Sequence, residues 1–188
     1  MTERVFTIPN LVTFARLGLL PVFVWLIASD RIAEAGWLFG VIAATDWIDG
    51  YLARKLDQVT ELGKLLDPVA DRLAVAIAVI GGLLTGVLPV WFGWALIIRE
   101  ALIGLGALFV GLAAGQKITV RQLGKWATFG VYAAVGWFYV GEGTPFEPLV
   151  WMAYIVGVPA LVMYYVVGAQ YLADARAVVA SDRESAES

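Results

Sequence analysis

The chain has 188 residues, of which 61% are hydrophobic and 15% charged, with a mean hydropathy of +0.80 and a formal charge of −3. That composition is far from a soluble domain and implies a polytopic membrane protein. Without a single cysteine or histidine, it has no means to form a disulfide, a zinc site, a Cys nucleophile, a Ser-His-Asp triad or a histidine-dependent phospholipase centre.

Residues 1–8 are a short polar start with Arg4, lacking the charged, apolar and cleavage regions of a signal peptide. Hydropathy predicts a first span over about 9–28, opened by Pro9 and holding Arg16. After Ser29-Asp30 a second span covers about 33–53, followed by a connector with Arg54, Lys55 and Lys64 against Asp57 and Glu61. A third span, about 65–86, begins with Asp67 and Asp71, with Pro68 expected in its first turn. Leu88-Pro89 breaks the chain before a fourth span, about 90–113, with Arg99 and Glu100 near its middle. The basic connector GQKITVRQLGK carries Lys117, Arg121 and Lys125 and no acid. A fifth span over about 123–140 and a sixth over about 149–172 complete the set. The expected fold class is all-α: a polytopic membrane protein with six transmembrane helices in one bundle. One domain is expected over 1–173, with a disordered cytoplasmic tail at 174–188.

The basic residues orient this bundle. With a cytoplasmic N-terminus, Arg4, Arg54, Lys55, Lys64, Lys117, Arg121, Lys125, Arg176 and Arg183 lie at the inner side, and Arg31 alone lies outside. Both termini and the acidic segment are then cytoplasmic, where nucleotide-activated substrates are available.

That acidic segment, TDWIDGYLARKLDQVTELGKLLDPVADRLAV, is the feature the other spans do not explain. It holds Asp46 and Asp49 at i,i+3 spacing and Asp67 and Asp71 at i,i+4 spacing, so each pair shares a face of its own helix. Four charges at the bilayer centre, unpaired, would cost about 10 to 14 kcal/mol at 2.5 to 3.5 kcal/mol each. Facing pairs of carboxylates repel one another unless cations lie between them, and hard oxygen donors suit Mg²⁺, Mn²⁺ or Ca²⁺. Salt bridges to Arg54, Arg72 and Lys64, with Asp67 capping a helix, are the plain alternative; they leave the paired spacing unexplained. Gly50 and Gly63 allow close approach of a ligand, or of a neighbouring helix, and Arg54 supplies a fixed positive fork.

As a pattern the segment reads D-x2-D-G-x2-A-R-x8-G-x3-D-x3-D, filled by Asp46, Asp49, Gly50, Ala53, Arg54, Gly63, Asp67 and Asp71. It resembles the signature of the CDP-alcohol phosphotransferases, membrane enzymes that make phospholipid head groups. The resemblance implies Mg²⁺ as cofactor, with Mn²⁺ as a substitute, one or two ions being held by Asp46, Asp49, Asp67 and Asp71. Asp71 is implied as the general base as well; from physical chemistry alone any of the four qualifies, and their titrations would be coupled. Gly50, Arg54 and Gly63 would line a site for a CDP-linked lipid, and Thr60 and Asn10 are further candidates there. A solvated loop position for Thr60 and a helix cap for Asn10 are the competing readings. A homodimer is implied by the family alone.

Arg99, Arg121 and Lys125, with Arg16 as a weaker member, form a second constellation suited to the phosphate of an anionic acceptor. The competing reading pairs Arg99 with Glu100 and makes the connector cations topology signals. IPNLVTFARL, DPVADR and IIRE resemble the phosphatidylglycerophosphate synthases of bacteria, implying transfer of a phosphatidyl group from CDP-diacylglycerol to glycerol 3-phosphate with release of CMP. One departure stands out: where those enzymes commonly have GKxKT, this chain has Gly124, Lys125, Trp126, Ala127 and Thr128. The GKxAT form is similar to cardiolipin synthases that use phosphatidylglycerol as acceptor. The partners expected are thus CDP-diacylglycerol, a small or lipid alcohol and membrane lipid, with no nucleic acid. The non-enzyme alternative is a divalent-cation channel or transporter, against which stand Arg54 with the glycines and the single copy of the aspartate pattern.

Overall fold

The computed structural model describes residues 7–56, 61–114 and 122–187; side chains at 46–56, 103–114 and 171–187, and several near 8 and 61–68, lie outside that description. Among the described residues the chain is all-helical: α1 (Ile8–Ala28), α2 (Ile32–Leu56), α3 (Glu61–Leu84), α4 (Val90–Ala114), α5 (Gln122–Glu142) and α6 (Pro148–Glu187).

The helix ends follow local chemistry. Thr7 is the N-cap of α1, its hydroxyl accepting from the Asn10 amide at 3.4 Å, with Pro9 in the first turn. Asn10 therefore lies inside the helix, and the capping role that competed for it belongs to Thr7. The turn after α1 places Asp30 at φ 59°, the left-handed region that short polar side chains tolerate. Gly86 takes φ 76° after α3, which lets the Leu88 amide return to the Gly82 carbonyl at 3.0 Å.

Two boundaries differ from the sequence expectation. Helix α3 begins at Glu61, a full turn earlier than expected, so Pro68 sits inside the helix and Asp67 is not a cap. Helix α6 continues to Glu187 through the stretch expected as a disordered tail, whose sequence ADARAVVASDRESAE is rich in good helix formers.

The helices close a ring in which α1 packs on α2, α2 on α5, α5 on α6, α6 on α4, α4 on α3 and α3 on α1, with α3 also touching α2 and α5. Phe23, Phe39, Tyr132 and Tyr139 join α1, α2 and α5, with ring centroids 5.5 to 5.9 Å apart. On the other side of α5, Phe92, Phe138 and Tyr154 join it to α4 and α6 at 5.5 and 5.0 Å.

Cross-helix pairings give the directions. Thr13 meets Asp67 and Arg16 meets Asp71, so α1 and α3 run parallel. The Tyr132 and Tyr139 hydroxyls reach the carbonyls of Asp71 and Ala78 at 3.5 and 2.7 Å, so α3 and α5 are parallel too. Gly36 lies against Val140 and Gly143 against Ala33, so α2 and α5 are antiparallel.

The outer surface is apolar. Trp25, Trp37, Trp94, Trp126, Phe129, Trp151 and Ile155 are all more than half exposed, the inverse of a soluble fold's patterning. Among the described residues two stretches, Asn10–Ala28 and Pro148–Gln170, are long and apolar enough to cross a membrane, and Ile32–Thr45 is a shorter apolar helix.

Candidate active site

Asp67 and Asp71 stand one turn apart on α3, both half-buried, among helices otherwise poor in charge. Each receives a donor from α1. The Thr13 hydroxyl donates to Asp67 Oδ1 at 2.5 Å, and Arg16 Nη1 donates to Asp71 Oδ1 at 2.6 Å. The Arg16 side chain is fully buried, whereas 32% of Asp71's remains exposed. A buried guanidinium is tolerable only against an opposite charge, because breaking such a pair costs about 3 to 5 kcal/mol. Arg16 is therefore bound to the acidic site; among the described residues α1 and α4 make no contact, so it stands apart from Arg99.

Helix α2 is continuous through Asp46, Asp49, Gly50 and Arg54 and neighbours α3. The side chains of these four lie outside the described set, and Thr60 and Arg121 lie outside the described residues altogether. Gly63 is buried in α3, and Asn10 is buried in α1. Among the described side chains no third acidic group joins Asp67 and Asp71. These two fit a hard divalent cation: both are oxygen donors, they share a helix face, and each is half open.

A second polar cluster joins α3, α4 and α6. Arg99 Nη1 donates to Glu100 Oε1 at 2.5 Å, and the Tyr164 hydroxyl donates to the same oxygen at 2.8 Å. The Arg99 guanidinium carbon lies 3.1 Å from the centroid of the Tyr164 ring, and Arg72 Nη1 is 3.7 Å from Glu100 Oε2. Arg99 is buried, and its Nε has no hydrogen-bond partner among the described residues. The pairing of Arg99 with Glu100 is thus as the competing sequence reading had it. Lys125 is exposed on α5, and Ala127 two residues on is fully buried in the core. Below Arg72 and Glu100 an apolar cavity of about 310 Å³ runs between α3 and α4, lined by Val75, Val79, Leu96 and Ile97.

Sequence reasoning did not single out Thr13 or Tyr164, nor the contact between Arg16 and Asp71. The available signal was Arg16 itself, since a charge inside an apolar span demands a partner.

Fold and site together are an apolar helical bundle that holds an acidic pair in a half-open polar site. The family is given by comparison: residues 6–173 match the CDP-alcohol phosphatidyltransferase family model, and the chain belongs to that family. Its similarity to relatives extends over most of its length. A cardiolipin synthase (CMP-forming) of Streptomyces coelicolor is 34% identical, over 86% of this chain and 86% of its own. A CDP-diacylglycerol–glycerol-3-phosphate 3-phosphatidyltransferase of Bacillus subtilis is 36% identical, over 76% of this chain and 80% of its own. The enzyme of the same name from Shigella flexneri is 33% identical, over 92% and 96%. The chain is accordingly an enzyme, a phosphatidyltransferase.

Proposed function

We propose that the protein transfers the phosphatidyl group of CDP-diacylglycerol to the hydroxyl of glycerol 3-phosphate, releasing CMP. The observation that carries the site assignment is the half-open pair Asp67 and Asp71, one turn apart and each hydrogen-bonded from α1. In the reaction, the acceptor oxygen attacks the lipid-side phosphorus, a new P–O bond forms, and the P–O bond to CMP breaks. Asp71 takes the proton of the attacking hydroxyl. Asp46, Asp49, Asp67 and Asp71 would hold one or two Mg²⁺ ions, which neutralise charge on the diphosphate and the departing CMP. Arg54 binds a phosphate oxygen, with Gly50 and Gly63 giving room for the diphosphate and Asn10 and Thr60 at the nucleotide. Arg99, Arg121 and Lys125 bind the acceptor phosphate.

The membrane arrangement belongs to the same reading. Six crossings are supported by the parallel odd-numbered helices and by the apolar outer surface, and the cytoplasmic side for both termini and the active site by the distribution of the basic residues. A homodimer is part of it on family grounds.

A second reading, cardiolipin synthesis with phosphatidylglycerol as acceptor, is favoured by one observation. Position 127, where GKxKT would carry its second lysine, points into the bundle core as alanine. A lysine there would bring an inward cation for a small anionic acceptor; its absence removes one such contact.

CMP release by the purified protein with Mg²⁺, measured in parallel with glycerol 3-phosphate and phosphatidylglycerol, decides between them. Release dependent on glycerol 3-phosphate upholds the first reading, and release dependent on phosphatidylglycerol replaces it with the second. No release with either acceptor, from folded protein, overturns both.

A further inference from the structure

The buried face of α1 changes character along its length. Asn10, Thr13 and Arg16 occupy its first half, each about 1% exposed, and Leu20, Phe23 and Leu26 continue the same face as ordinary apolar core. Apolar packing suffices for the second half, so joining α1 to its neighbours does not of itself require polar groups. The first half buries a hydroxyl and a guanidinium, costly groups to desolvate unless well partnered. Like the acids, they stand about one helical turn apart. Thr13 and Arg16 are three residues apart, Asp67 and Asp71 four, and the two parallel helices make both rungs at 2.5 and 2.6 Å.

From this register we infer that Thr13 and Arg16 are positioning residues: Thr13 sets Asp67 for cation binding, and Arg16 sets Asp71 to receive the acceptor proton. A carboxylate has about four lone-pair directions. A donor on Oδ1 fixes the plane and rotamer of the group, as partners of metal ligands do. Helix α3 is held by α5 as well, where the Tyr139 hydroxyl grips the Ala78 carbonyl at 2.7 Å. The backbone that carries Asp71 is thus gripped by α5 while α1 orients the carboxylate. The inference rests on the cation-dependent reading above.

The test is Mn²⁺ binding to the purified chain in nanodiscs without substrate, read by the paramagnetic resonance of free Mn²⁺. Thr13→Val, which keeps shape and removes the hydroxyl, is expected to weaken binding about 10- to 100-fold, and Thr13→Ser to restore it. The thermal midpoint should stay near that of wild type in both. If Thr13→Val does not fold, Thr13→Ala makes the same cut. For Arg16, the single-point donor of Arg16→Lys is expected to lower kcat for CMP release about tenfold and leave KM for CDP-diacylglycerol unchanged. Asp67→Asn serves as the ligand control. Wild-type affinity, within about threefold, in Thr13→Val while Asp67→Asn loses binding overturns the Thr13 assignment and spares the cation reading. Unchanged kcat in Arg16→Lys does the same for Arg16. Absence of Mn²⁺ binding by the wild type overturns both the inference and the cation reading.

Discussion

The Tyr139 hydroxyl donates to the Ala78 carbonyl at 2.7 Å in the buried centre of the bundle, one heptad beyond the longer Tyr132 contact to Asp71. Two tyrosines of α5 thereby read two carbonyls of α3 at the same offset, which sets the height of the acidic pair relative to α5. Tyr139→Phe removes one buried bond at a cost of about 0.5 to 1.5 kcal/mol. For a chain of this size that is a fall of about 2 to 4 °C in Tm per kcal/mol, measurable by thermal unfolding in detergent.

Glycines of α2 separate into two kinds. A Cβ on Gly36 would come within 2.8 Å of the Val140 backbone nitrogen and within 2.7 Å of its side chain, whereas one on Gly40 meets nothing within 4 Å. Gly36→Ala must push α2 from α5 and is expected to cost about 1 to 3 kcal/mol. Gly40→Ala is expected to be neutral or to stabilise by up to about 1 kcal/mol through helix propensity. Unfolding midpoints of the two variants, side by side, check the contrast.

Glu100 accepts from both Arg99 and Tyr164 on one oxygen. Glu100→Leu alone strands a buried guanidinium and is expected to cost about 3 to 5 kcal/mol. The double variant Arg99→Met with Glu100→Leu should recover most of that stability, because an apolar pair of similar volume replaces a buried ion pair at little cost. Acceptor binding then gives the second readout. If Arg99 also meets an anionic acceptor, the double variant folds but shows a raised KM for glycerol 3-phosphate, with KM for CDP-diacylglycerol unchanged.

Divalent-cation removal tests the acidic site directly. Chelation by EDTA is expected to abolish CMP release and added Mg²⁺ to restore it. Asp71→Asn keeps the shape of the side chain and loses the base, with an expected fall in kcat of about 10² to 10⁴. The thermal midpoint of the variant, taken alongside, separates loss of chemistry from loss of the Arg16 pair.

The pair Asp67 and Asp71 was legible in the sequence because it is local. The two are separated by a helical spacing, and charge in an apolar span is conspicuous against the cost of placing it there. The helices were legible for the same reason, except where two local signals misled: Pro68 was expected in the first turn of its helix although α3 begins at Glu61, and polarity after residue 173 was read as disorder although α6 continues. Proline and charge are weak boundary markers, because a helix tolerates both when its flanks propagate it.

Composition, spacing and charge by themselves determined that this chain is an apolar helical protein with a carboxylate site of a known family pattern, since each of those properties is written within a turn or two of helix. Only the tertiary structure decided which donors serve which acids. Thr13 and Arg16 are 54 and 55 residues from Asp67 and Asp71, and among the described residues α1, which carries Arg16, makes no contact with α4, which carries Arg99. Periodicity specifies the face on which a side chain stands; which neighbouring helix that face meets is set by the packing of the whole bundle.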